Sequence, residues 1–330
     1  MTVTDDRKRS ADDAERFASL VPQLAVEMAR EPGNHHRTIE GSMLSADISG
    51  FTALSEKLAA KGKAGAEEIT ELINICFTEL IDAAYAYSGE VIKFGGDALL
   101  VLFRGEDHLT RVAAAGLDMQ HALHSSPAAK KANLTMTVGA SEGPFEAFLV
   151  GSTQRDLIIA GTNASHVIHL EGEAEKGDTV VSNAIADALP DALRVADHAG
   201  GWIVSGTVDQ HQSGPLVRET DGADLATLVP ESVGTHFEGF AGLGGEHRIV
   251  TVGFLSVTGL DEHLIDHGAA DTCDALGDLV DAVVESWSSA VVSVTLFLLS
   301  AAPPVAVIGA RWWWLAGCSE RRAVGGPIGP

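Results

Sequence analysis

The sequence predicts an α+β fold. It reads as a ferredoxin-like sandwich in the order β-α-β-β-α-β with added hairpin strands, followed by an incomplete second copy. Three observations predict this. Short apolar runs bounded by glycine recur between residues 42 and 181. Residues 67–86 carry apolar side chains at helical spacing. The stretch from Arg248 to Trp287 repeats the pattern of residues 43–86.

The elements follow in order. Residues 1–40 form a polar N-terminal segment, with a short helix expected through Asp12 to Arg30 and a break at Glu31-Pro-Gly-Asn-His-His-Arg37. Residues 42–48 read as a buried strand, and Ala59–Gly65 as a glycine-containing loop. Ile69, Leu72, Ile73, Cys76, Phe77, Leu80, Ile81 and Ala84 line one helical stripe. Glu90–Phe94 and Ala98–Phe103 read as a hairpin joined by Gly95-Gly96-Asp97. A helix is expected over 107–124 with Asp107 as its N-cap. Leu134–Ala140 alternates as a strand, stopped by Gly143-Pro144, and Phe145–Val150 and Asp156–Ala160 read as two more. A helix from Thr162 to Ala174 and a strand at Thr179–Val181 complete a domain placed at 41–190.

Residues 191–245 read as a linker or closing β segment. Residues 246–288 read as the truncated start of a second domain, a buried strand at Arg248–Ser256 followed by a helix over Ala270–Trp287, in which Ser256-Val-Thr-Gly259 meets Asp47-Ile-Ser-Gly50 with the carboxylate missing. From about residue 289 the pattern fails in an apolar tail, 289–330, that contains Pro303-Pro304 and Trp312-Trp313-Trp314. Three readings fit it: a reading-frame shift, a membrane segment, or an unusual tail. The frame shift is preferred. Tryptophan has a single codon, and tryptophan runs read in the other frames give valine or glycine, as a missing strand would need. Adjacent prolines in mid-run argue against a simple span.

Charge narrows the function. The chain carries 46 acids against 22 bases, a net −24, with no basic run. It should therefore repel nucleic acid and anionic lipid, so no nucleic-acid partner and no membrane association are expected. An anionic substrate would need metal to neutralise it. Cys76, Cys273 and Cys318 match no zinc spacing, and Cys76 reads as core filler. The polar N-terminus lacks the apolar core of a signal peptide. A cytoplasmic chain is expected.

Two carboxylates stand out. Asp47 lies in Met43-Leu-Ser-Ala-Asp-Ile-Ser-Gly-Phe-Thr52, and Asp97 in Lys93-Phe-Gly-Gly-Asp-Ala-Leu-Leu100. Each ends an apolar run beside glycine. Paired carboxylates with a backbone carbonyl, here that of Ile48, suit two Mg2+ or Mn2+ ions against a triphosphate. The turn Ser49, Gly50, Phe51 and Thr52 opens a helix whose N–H groups suit phosphate oxygens. Either motif alone reads better as an ordinary capped turn or hairpin turn; the two together, in this order, shift the balance.

The two motifs resemble a class III adenylate/guanylate cyclase catalytic domain, closest to the tandem-domain kind related to soluble adenylyl cyclase. Leu54-Ser-Glu-Lys-Leu58 and Arg155-Asp-Leu-Ile-Ile-Ala-Gly161 fit the same pattern. The resemblance covers about residues 40–190, and 246–288 only weakly. It implies two domains paired head to tail, ATP bound between them, and cyclisation to cyclic AMP and pyrophosphate. It implies that Asp47, Asp97 and the Ile48 carbonyl hold the metals. It also implies an asparagine and an arginine that stabilise the transition state. Those positions here hold Ser165 and His169. A second cyclase domain, in cis or in trans, would supply the missing pair, leaving this chain inactive or weak alone. Lys93 falls where the family places a purine-reading lysine. In a tandem pair it would line the degenerate site that binds bicarbonate, where the helping arginine is replaced by Ile168. The rival reading is a non-enzymatic module that binds nucleotide or bicarbonate and regulates a partner. A diguanylate cyclase fits poorly, because Gly95-Gly96-Asp97-Ala98-Leu99 lacks the signature of that class.

Overall fold

The computed structural model describes residues 21–31, 33, 35–198, 200–220, 223–229 and 257–286, with two-residue strands at Leu296–Phe297 and Val307–Ile308. In chain order the main elements are α1 (Gln23–Ala29), β1 (His36–Ser49), α2 (Phe51–Ala59), α3 (Lys63–Ala86), β2 (Glu90–Gly95), β3 (Ala98–Phe103), α4 (His108–Ser125) and α5 (Pro127–Ala132). They continue with β4 (Thr135–Val150), β5 (Asp156–Ala160), α6 (Thr162–Glu173), β6 (Thr179–Ser182), α7 (Asn183–Asp187), β7 (Arg194–His198), β8 (Gly201–Val204) and α8 (Leu260–Ser286).

Eight strands form one mixed sheet in the order β2-β3-β1-β4-β6-β8-β7, and β5 also pairs with β4. This is the α+β architecture expected. The central ladder joins β1 to β4 antiparallel along their whole overlap, His36 opposite Phe148 to Ser49 opposite Thr135. Both faces of β1 are covered, so it reads as a continuous apolar run rather than as alternation. Leu44, Ala46 and Ile48 face α3 and α4, where Phe77, Leu80, Val112 and Met119 close the larger core. Met43 faces the other side, which packs on α1 and α6 through Leu24, Met28 and Val167. Burying each such side chain contributes about 1.5–3 kcal/mol, so the apolar stripe of α3 is what holds it to the sheet. Cys76 sits fully buried in that stripe, as expected.

Several expectations need correction. Gly143-Pro144 does not stop a strand; β4 runs straight through. At that point β4 is paired with β1 on one side, while β6 pairs at Val138–Ala140 and β5 only from Glu146. The open edge between them tolerates a residue without an N–H, and Pro144 is exposed there. Asp107 stands at the N-cap of α4 with left-handed backbone and no side-chain cap bond. The loop expected at Ala59–Gly65 shrinks to Ala60–Gly62 between two helices. Of the N-terminal helix, Gln23–Ala29 is helical, and the residues before 21 lie outside the described residues.

Beyond residue 190, β7 and β8 extend the sheet. The strand expected at 248–256 lies outside the described residues. The helix expected at Ala270–Trp287 is α8, which begins at Leu260 and packs back on β4 and β5. No second copy of the fold is formed among the described residues. The tail from 289 lies outside them, apart from the two short strands. Among the described residues, no helix is long and apolar enough to cross a membrane.

Candidate active site

The period of two along β1 decides which way Asp47 faces. Asp47 shares a face with Met43 and Ser45, opposite to the face of Leu44, Ala46 and Ile48. All three line a cavity of about 230 Å³ between the sheet and α6. Asp97 follows Gly96, whose φ of +78° turns the hairpin. The two motifs are tied by backbone: the Ile48 N–H donates to the Asp97 carbonyl at 3.1 Å, and Asp47 stands opposite Ala98 in the β1–β3 ladder. Residues far apart in sequence thus meet at one strand end.

The electrostatics follow from that meeting. Burial pushes the Asp47 carboxyl up to about 7, and the Asp97 and Glu171 carboxylates add to the shift. Burial also raises Asp97, offset in part by its own backbone N–H. Burial raises Glu171 too, against the Thr137 hydroxyl that donates to it. Crowded, half-buried carboxylates of this kind are relieved by protons or by a cation. A divalent ion fits this donor set: two carboxylates and the backbone of Ile48, all hard oxygens. Among the described residues, no three His, Cys, Asp or Glu side chains already converge on one metal position. The pair with its neighbouring backbone is therefore the unit that fits.

The other expected residues divide. Gly50 adopts a left-handed φ of +110° at the start of α2, which has no side-chain cap. Ser49 is half-buried and Phe51 is buried in the main core, so Phe51 offers phosphate only its backbone. The turn containing Ser49, Gly50, Phe51 and Thr52 lies outside the cavity lining. Lys93 lines the cavity but is buried rather than solvated at its head. Its Nζ donates to Asp156 Oδ2 and to the Leu157 carbonyl, both at 2.9 Å. Ser165 and Ile168 line the cavity, whereas His169 is exposed on the far side of α6.

Sequence reasoning missed Glu171 and Asp156. Ala164, Ile168 and Glu171 fall on one helix face at i, i+4 and i+7, and all three line the cavity. That spacing was the available signal for Glu171. Asp156 had none, because only the register of β5 on β4 brings it beside Lys93. Lys93 is buried and Asp156 half-buried, with side chains 7% and 14% exposed. Lys93→Ala would remove the buried cation beside Asp156 and is expected to cost about 3–5 kcal/mol. A urea midpoint measures this, and Lys93→Met with Asp156→Leu should recover most of the loss.

Residues 34–213 match the family model described as the adenylate and guanylate cyclase catalytic domain. The chain belongs to that family. This cyclase chain is 25% identical over 176 residues to adenylate cyclase type 10 of Mus musculus, covering 51% of this chain and 11% of that protein. It is 26% identical over 191 residues to an adenylate cyclase of Mycobacterium tuberculosis, covering 55% of this chain and 42% of that one. It thus spans only a minor part of the length of either relative. Among solved structures it is similar to the adenylyl cyclase CyaB from P. aeruginosa, with a TM-score of 0.45 and 21% identity over 54% of this chain and 99% of that one. The guanylyl cyclase Cya2 is similar at a TM-score of 0.44 and 24% identity, over 54% and 97%.

Proposed function

We propose that this cyclase domain is the metal-binding half of an adenylate cyclase that converts ATP to cyclic AMP and pyrophosphate in intracellular signalling. The observation that carries this reading is the backbone tie between Ile48 and Asp97, which sets both aspartates at one strand end. Relatives of both similar lengths of match bear the name adenylate cyclase, which favours ATP over GTP. Bound Mg2+ or Mn2+ would activate the ribose hydroxyl and neutralise the leaving pyrophosphate. Asp47 and Asp97 would hold those ions, and catalysis would rest on positioning and electrostatics.

Ser165 and His169 are the reason to expect weak turnover from the chain alone. A serine hydroxyl donates only one hydrogen bond, and His169 is exposed away from the cavity. A second cyclase domain would bring the missing groups across the interface. Purified chain with Mn-ATP should form cyclic AMP slowly or not at all, and adding an intact second domain should raise the rate at least ~100-fold. Full turnover by the chain alone, or no rescue, would refute the assignment. The regulatory reading predicts instead metal-dependent ATP binding with no product under either condition. Bicarbonate is a poor fit to the Lys93 pocket: Asp156 already neutralises the lysine, and Ile168 supplies no charge. Bicarbonate from 0 to about 40 mM is expected to leave the rescued rate unchanged.

A further inference from the structure

We propose that helix α8 is a lid that the chain lays over its own cavity, and that α8 and nucleotide compete for this space. The idea rests on the nucleotide reading above for the identity of the competitor, and on geometry for the lid.

α8 follows the sheet by a long stretch of sequence and yet returns to it. Leu276 and Val280 are buried against Phe148, Val150, Ile158 and Ala160 of β4 and β5. Two polar contacts add to this anchor: the Ser152 N–H donates to Asp281 Oδ1 at 2.8 Å, and the Cys273 thiol reaches the His35 carbonyl at 3.7 Å. The first turn then walls the cavity. Leu260 and Asp261 line it together with Asp47, Lys93 and Glu171. Ser165 Oγ donates to Asp261 Oδ2 at 2.6 Å. The family position reserved for a transition-state group is therefore already engaged by the chain's own helix. Asp261 also adds a carboxylate to a cavity that contains Asp47 and Glu171, which disfavours a polyanion.

The helix has a joint between anchor and lid. Gly268 has φ +82° and ψ 173° within α8, a conformation only glycine adopts at low cost. The segment before it carries Leu260 and Asp261, and the segment after it carries Leu276 and Val280. Across the joint, His263 Nδ1 and Thr272 Oγ1 share a hydrogen bond at 3.1 Å, and Thr272 Oγ1 also donates to the Gly268 carbonyl at 2.8 Å. These contacts hold the joint in its closed setting. A small φ/ψ change at Gly268 would swing the first segment off the cavity while the anchor stays docked.

The test uses the full chain and two readouts. Ala164→Cys places a thiol in the cavity wall, and its alkylation is followed by peptide mass spectrometry. Leu276→Asp undocks the anchor, and Asp261→Ala removes the latch with less risk to folding. The thiol should react slowly in the closed chain and at least ~10-fold faster with either second substitution, if the closed form is about nine-tenths populated or more. The second readout is binding of a non-hydrolysable ATP analogue with Mn2+, which should tighten by a similar factor. Equal alkylation in all chains overturns the lid whatever the nucleotide does. Faster alkylation with unchanged or weaker analogue binding overturns the competition. Faster alkylation with no analogue bound by any chain upholds the lid and sinks the nucleotide reading.

Discussion

Replacing Asp47 with asparagine is expected to stabilise the metal-free protein above neutral pH while abolishing its response to divalent metal. Asp47 is held up to about 7 by burial, then by Asp97 and Glu171, against an ordinary value of 3.8. An acid raised in this way keeps its proton longer when folded than when unfolded. Stability is therefore greatest below about 4 and falls as pH climbs through about 7. The shift corresponds to roughly 4 kcal/mol at most, and to about 2 kcal/mol once partial solvent access is allowed for. Asparagine has no such charge to bury. Thermal melts at pH 5 and pH 8, with and without Mn2+, measure the effect. The unaltered chain should gain more from Mn2+ at pH 8 than at pH 5, because protons compete with the ion. Asp47→Asn should melt higher than the unaltered chain at pH 8 without metal and show no gain with it. In the rescued enzyme the same substitution should lower cyclic AMP formation by on the order of 10²–10³-fold. A mutant that keeps its metal response would remove Asp47 from the site.

The second large effect is expected from Gly139→Val. Gly139 lies in β4 beneath α6, and a Cβ there would stand 2.2 Å from the Glu171 backbone N and 2.6 Å from the Val167 carbonyl. Both obstacles are backbone, so no side chain can move aside. α6 would have to rise off the sheet, taking Val167 and Leu170 out of the core. Overpacking of this kind costs about 1–3 kcal/mol when relaxation is easy, and more than ~3 kcal/mol is expected here. The lift would also carry Ala164, Ile168 and Glu171 away from Asp47, opening the cavity. A urea midpoint should fall sharply, and surviving folded protein should lose metal-dependent nucleotide binding. A stable Gly139→Val chain with normal binding would show that α6 is not held by this close approach.

The fold was legible wherever local periodicity was strong. The stripe from Ile69 to Ala84 and the hairpin around Gly96 carry their pattern within a few residues, and both are present. Gly143-Pro144 was misread because a break depends on which neighbours a strand has. That information resides in β5 and β6, not in the dipeptide. Asp47 and Asp97 were legible as a pair because their motifs are specific. Glu171 was hidden because its significance depends on Gly139 admitting α6 to the sheet. Asp156 and Asp261 were hidden because their partners, Lys93 and Ser165, lie far away in sequence. The turn at Ser49 to Thr52 shows the opposite limit: the motif was visible, yet Phe51 is spent on the core.

The long β1–β4 ladder has a consequence for how this site comes into being. Each of its pairs joins residues separated by most of a domain, Asp47 with Thr137 among them. Such pairings repay loop closure late, whereas the β2–β3 hairpin forms locally and early. A chain emerging from the ribosome would present Asp97 on a finished turn well before Asp47 has a β4 to lie against. The acidic centre is thus among the last features to be assembled, and a chain interrupted before β4 would hold both aspartates and no site.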